Sequence, residues 1–130
     1  METLARFCEA SARLGGSLAG INPLHHMFTD DRRRVSPYQP SDRRFIDPLY
    51  IDLNEVQKRF GPSAKKYESE LSHLREASHV DYDAVWRIKD DVLFSVFEKF
   101  GPNKDFEAFI ADGGSALQDH ARFEARKDPR

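Results

Sequence analysis

At 130 residues the chain is one domain at most, and with 39% hydrophobic and 32% charged residues it leans polar for a globular core. A net charge of −2, with acids and bases interspersed, excludes a nucleic-acid or acidic-membrane partner on bulk charge. The single cysteine, Cys8, excludes an internal disulfide and fits a reducing cytoplasm, and no apolar run approaches the roughly 18 residues of a membrane span. The N-terminus, METLARFCEASARL, carries Glu2 and Glu9 and lacks the apolar centre of a signal peptide.

Residues Glu2 to Leu14 read as a helix, with Leu4, Phe7, Cys8 and Ala12 on one face and Gly15-Gly16 as the stop. With no base beside it, Cys8 reads as a packing residue and not as a nucleophile. Ser17 to Asn22 then reads as a strand buried on both faces, since Leu18, Ala19, Gly20 and Ile21 are apolar or small without alternation. Pro23 ends it. A helix feeding a buried strand is half of an α/β unit, and such folds bind ligands on the loops after their strands.

The loop that follows, about Leu24 to Asp47, is too long for a plain connection. Pro37, Pro40 and Pro48 stiffen it. Tyr38, inside Ser36-Pro37-Tyr38-Gln39-Pro40-Ser41, has two readings: a rigid aromatic platform for the apolar face of a sugar, or a loop tyrosine packed on the domain surface. His25-His26 reads as cleft lining more readily than as a metal site, because adjacent side chains diverge and no ligand stands at metal spacing. Among Asp30, Asp31, Asp42, Asp47 and Asp52 nothing selects an acid/base pair; they read as loop-capping or solvated groups, with Asp52 placed to accept from the backbone where the loop returns. Arg43-Arg44 reads as a pin for the loop through Asp42 or Asp47. Leu49, Ile51 and Leu53, alternating with Tyr50 and Asp52, predict a short extended return.

Everything after this reads as helix. Asn54 is the predicted cap of a helix through Phe60, stopped by Gly61-Pro62. A second runs from Ser63 to Ala77, with Tyr67, Leu71 and Leu74 on a stripe. Asp81 or Asp83 caps a third, to Phe100, with Val85, Ile88, Val92, Val96 and Phe100 as its apolar face and Leu93 and Phe97 beside them. Asn103 starts a fourth with Phe106, Phe109 and Ile110 inward, Gly113-Gly114 breaks it, and Ser115 restarts a last helix to about Ala125. Trp86 and these phenylalanines read as core; His73, His79 and His120 read as isolated and solvated. A lone strand cannot satisfy its backbone, so the pattern as a whole suggests a piece of a larger fold.

Gly20-Ile21-Asn22-Pro23-Leu24-His25, Ser36-Pro37-Tyr38-Gln39-Pro40-Ser41, Arg43-Arg44-Phe45 and Pro48-Leu49-Tyr50-Ile51-Asp52 resemble, in order and spacing, the bacterial 4-α-glucanotransferases, or amylomaltases. Val80-Asp81-Tyr82 and Phe109-Ile110-Ala111-Asp112-Gly113-Gly114 extend the resemblance to nearly the whole chain. It implies an α/β fold, here a partial (β/α)8 (TIM) barrel over residues 1–130. Its parts are the first helix, the second barrel strand, a substrate loop over 24–53 and a helical insertion over 54–126. It also implies transfer of α-1,4-glucan segments from a maltodextrin to a sugar acceptor by retaining double displacement, with no organic cofactor. Tyr38 matches the family tyrosine that stacks on sugar, with Ser36 and Gln39 flanking it. The family's catalytic carboxylates match nothing here, so no catalytic residue is expected, and the remainder of the barrel is an implied partner. The alternative is a helical module that binds glucans or another protein without catalysis.

Overall fold

A computed structural model describes residues 2–61 and 64–127. The first helix, α1, spans Glu2–Arg13, and Gly15, at φ 85°, supplies the left-handed residue that ends its turn. None of its residues is buried, and Cys8 is exposed, so its expected packing role is not met among the described residues.

Ser17 to Asn22 is not a strand. Leu18 is 90% exposed, and no described strand lies beside this segment to receive its backbone groups. The run has the composition of a buried strand but lacks the neighbours that would make it one. The pairing occurs a few residues later. β1 (His25–His26) and β2 (Asp42–Ile46) form a two-stranded antiparallel sheet, with His25 opposite Ile46 and His26 opposite Asp42. The register slips between these pairs. Flanking bonds from Asp47 N to Leu24 O (3.0 Å) and Ser41 N to His26 O (2.8 Å) close the ends. The long loop is thus a hairpin whose connection is residues 27–41.

Pro48–Tyr50 is a 3-10 turn and not the extended return the alternation suggested. Asp47 Oδ1 accepts from Leu49 N (2.7 Å) and Pro48 presets φ, and together they tighten the chain. The cap of α2 (Leu53–Phe60) is Asp52, not Asn54: Asp52 Oδ1 accepts from Asn54 N at 2.8 Å. The backbone acceptor role read for Asp52 is therefore correct. Gly61 stops α2 at φ 94°. Pro62 and Ser63 lie outside the described residues. A 3-10 turn, Lys65–Tyr67, leads into α3 (Glu68–Glu76).

Asp81 caps α4 (Tyr82–Phe97), accepting from Ala84 N at 2.9 Å. Asn103 caps α5 (Lys104–Ala125), accepting from the amides of Asp105 and Phe106 at 3.0 Å. The expected break falls at Gly114, whose φ of 55° and ψ of −151° leave the helical region, and α5 continues beyond it.

The core is small. Ile88 and Val92 on α4 are fully buried, packed with Leu53 and Val56 of α2 and with Ala64. Tyr67, Leu71, Leu74, Leu93 and Val96 surround them. The aromatic residues expected inward on α4 and α5 are not there: Phe97, Phe106 and Phe109 are exposed, and Phe60, Phe100 and Phe106 meet edge-on at the surface. Their helical spacing is that of a packed face, but no described element covers it.

Truncating Ile88 to Ala should cost about 2–5 kcal/mol, because it hollows one of the two fully buried sites on α4. Phe97→Ala at an exposed position should change stability by only about 0.5 kcal/mol. Urea unfolding of both variants checks this; equal losses would contradict the assigned core.

Candidate functional site

The hairpin connection is held by three polar anchors. At the base, Asp47 is 1% exposed and its carboxylate accepts three hydrogen bonds. They come from Met27 N (2.7 Å), Leu49 N (2.7 Å) and Arg32 Nη1 (2.8 Å). Arg32 is 5% exposed, and its guanidinium lies over the Trp86 ring at 3.9 Å. Trp86 is therefore half-buried beneath a cation instead of in an apolar core. A charge so far out of water needs hydrogen bonds and a counter-charge. Asp47 has three bonds, while Arg32 has Asp47 and the Trp86 face, its Nε and Nη2 finding no partner among the described residues.

The second anchor clasps both necks of the connection from α5. Glu124 accepts from Thr29 Oγ1 (2.8 Å), Ser41 Oγ (3.3 Å) and Lys127 Nζ (3.1 Å), and His26 Nε2 stands 3.4 Å away. Burial by itself would raise the Glu124 pKa, but hydrogen bonds from Thr29 and Lys127, with His26 alongside, leave it lowered. His120 stacks on Phe45 (4.2 Å, 15°) and meets His26 edge-on (4.6 Å). It is not the solvated histidine that its isolation in the sequence suggested. His26 is buried, 5% exposed, and faces this cluster, not an open cleft. His120 and Glu124 are four residues apart with Lys127 three further on, one helical stripe that was available as a signal.

The third anchor is Asp42, gripped by Arg44 through Nε (3.1 Å), Nη2 (2.8 Å) and the backbone N–H (2.8 Å). The Arg44 side-chain bond holds the Asp42 pKa down to about 2. Arg44 thus pins β2 through Asp42, one of the two partners expected, while Asp47 takes Arg32.

Between these anchors the tip is open. Ser36 O accepts from Gln39 N at 3.1 Å, which turns the chain and brings Ser36, Tyr38 and Gln39 onto one bend. All three are exposed, Tyr38 by 63%, and the Tyr38 hydroxyl donates to Asn22 Oδ1 at 3.0 Å. Beside the bend, a groove of about 990 Å³ runs between α1, the Ile21–Leu24 segment and the 3-10 turn. Leu4, Phe7, Asn22, Pro37 and Arg32 line it, while Tyr38 stands outside, next to the rim residue Pro37. Among the described residues no three His, Cys, Asp or Glu side chains are grouped to hold a metal ion. No described helix is long and apolar enough to cross a membrane.

Along residues 1–130 the chain matches the family described as 4-alpha-glucanotransferase (glycoside hydrolase family 77), and it belongs to that family. It is 31% identical over 113 residues to the 4-alpha-glucanotransferase of Haemophilus influenzae, covering 80% of this chain and 16% of that protein. It is 28% identical over 122 residues to the 4-alpha-glucanotransferases of Mycobacterium bovis and Mycobacterium tuberculosis, covering 82% of this chain and 17% of theirs. The chain thus spans 16–17% of the length of these curated relatives.

Asp47→Ala leaves Arg32 buried without its counter-charge and should destabilise the hairpin by about 3–5 kcal/mol. Loss of the α4–hairpin cross-peaks in an NMR spectrum would register it; an unchanged hairpin would refute the assignment. The α5 clasp carries a pH dependence. His120 is faced by His26 of β1, Asp42 and Arg44 of β2, and Glu124 of its own helix. Burial, reinforced by His26, lowers its pKa below 6.5, against the pull of Glu124 and Asp42. Protonation therefore favours the undocked helix: the clasp is at full strength above about pH 6.5 and weakens as pH falls through that value. Thermal melts at about pH 7.5 and 5.5 should show this loss, and His120→Gln should reduce it; a melt that strengthens toward acid would reverse the sign.

Proposed function

We propose that this chain is the sugar-loop portion of a 4-α-glucanotransferase, which transfers α-1,4-glucan segments between maltodextrins by retaining double displacement. The observation that carries this reading is the family match along residues 1–130. Tyr38 is the sugar platform, with Ser36 and Gln39 on the same subsite. Its exposed ring, set on a proline-flanked bend and offered outward, has the form such a role needs.

The nucleophile and the acid/base belong to the remainder of the barrel, which is the proposed partner of this chain. The aspartates here have other duties: Asp47 is buried with Arg32, Asp42 is gripped by Arg44, Asp31 pairs with Arg33 and Asp52 caps α2. Asp30 stands 4.0 Å from Lys127 Nζ. A free carboxylate pair at glycosidase spacing is not what these contacts describe. The exposed Leu14, Leu18 and Ile21 fit a surface that the rest of a barrel covers. The lone exposed thiol of Cys8 suits a cytoplasmic setting.

Purified chain incubated with maltotriose should form no glucose and no longer maltodextrins; sustained disproportionation would refute the division of roles. Tyr38→Ala should weaken maltoheptaose binding about tenfold, or ~1.4 kcal/mol, by removing the stacking face. Titration calorimetry reads this, and an unchanged affinity would remove Tyr38 from the subsite.

A further inference from the structure

The bend 36–39 fixes the backbone of Tyr38 but not its ring. Pro37 and Pro40 restrict φ on either side, and the Ser36–Gln39 bond closes the turn. The ring itself is 63% exposed, so packing leaves its side-chain torsions loosely held. A stacking platform needs a set orientation, and freezing a loose aromatic on binding would cost affinity.

One contact supplies that orientation. The Tyr38 hydroxyl reaches across 16 positions of sequence to Asn22 Oδ1, at 3.0 Å. Asn22 stands on firm ground. Pro23 after it biases its backbone to an extended conformation. Two residues on, Leu24 O accepts from Asp47 N, which ties the segment to the buried Asp47 hub. Tyr38 belongs to the opposite limb, whose neck is held through Ser41 and Glu124. The Asn22–Tyr38 bond therefore bridges two limbs that are anchored independently.

We propose that Asn22 is a positioning residue for Tyr38, fixing both the angle of its ring and the polarity of its hydroxyl. A phenol has one donor and two acceptor positions. With the donor committed to Asn22, the Tyr38 oxygen meets a ligand as an acceptor, so it selects a sugar hydroxyl that donates. The proposal rests on the reading of Tyr38 as a sugar platform.

The test uses this chain with maltoheptaose. Asn22→Ala should weaken binding about threefold and Tyr38→Phe up to about tenfold, since Phe also lacks the oxygen offered to the sugar. The double variant should be no worse than Tyr38→Phe alone, because the Asn22–Tyr38 bond is already gone there. Asn22→Asp keeps an acceptor oxygen and should retain most of the affinity. Without ligand, Asn22→Ala should shift the Tyr38 ring resonances and leave the amide signals of His26 and Glu124 in place. Additive losses, or unmoved ring resonances in Asn22→Ala, overturn the positioning role. If Asn22→Ala fails to fold, Asn22→Ser, whose shorter side chain falls short of the Tyr38 hydroxyl, takes its place with the same expected loss, and full affinity there overturns the positioning role. Tyr38→Ala separates the two readings. Weakened binding there with Asn22→Ala and Tyr38→Phe unaffected defeats the positioning role only, whereas no binding by the unaltered chain, or none lost in Tyr38→Ala, defeats the platform and the proposal with it.

Discussion

The buried Asp47–Arg32 pair is the constraint on which the hairpin depends. Its carboxylate joins the start of the connection at Met27, the guanidinium within it, and the turn into the helices at Leu49. Each hydrogen bond offsets part of the cost of keeping charge out of water, so the set stands or falls together. Trp86 then covers the free face of Arg32 and couples the hairpin to α4, whose Ile88 and Val92 form the centre of the core. The loop is thereby referenced to α4 through a polar knot.

The same logic recurs at the other end of the connection. Glu124 gathers Thr29, Ser41 and Lys127, and His120 lays its ring on Phe45. The two necks of the connection are held from α5 while its tip stays exposed. A rigid frame with a solvent-facing bend is how binding loops combine precision with access. This division of labour fits the sugar-binding role proposed for Tyr38 in a member of the 4-α-glucanotransferase family.

The apolar surface of the chain completes that picture. Leu14 and Leu18 are 89% and 90% exposed, and several phenylalanines of α4 and α5 face outward. With a core of few residues, the structure relies on polar anchors where a larger domain would rely on burial. The chain covers 16–17% of the length of these relatives, and its exposed apolar residues fit the barrel surround proposed for it.

Local chemistry made much of this legible. The positions of α1, α2 and α4, the caps Asp81 and Asn103, the stops at Gly15 and Gly61 and the break at Gly114 follow from short-range rules of capping and left-handed glycine. The family itself was readable from the Ser-Pro-Tyr-Gln-Pro-Ser segment and its neighbours. What failed were inferences that needed partners. Ser17–Asn22 has the composition of a buried strand, yet a strand exists only where another backbone pairs with it. His120 looked solitary because His26, Phe45 and Asp42 are brought to it by folding, from 75 or more positions away. Thus the sequence by itself determined where the helices fall, several of their caps and stops, and the family, though the cap of α2 is Asp52, α3 begins only at Glu68 and α4 ends at Phe97 instead of Phe100. Only the tertiary structure decided which charges are buried, which histidines meet and which of the loop's aspartates holds it, because those depend on contacts between residues distant in the chain.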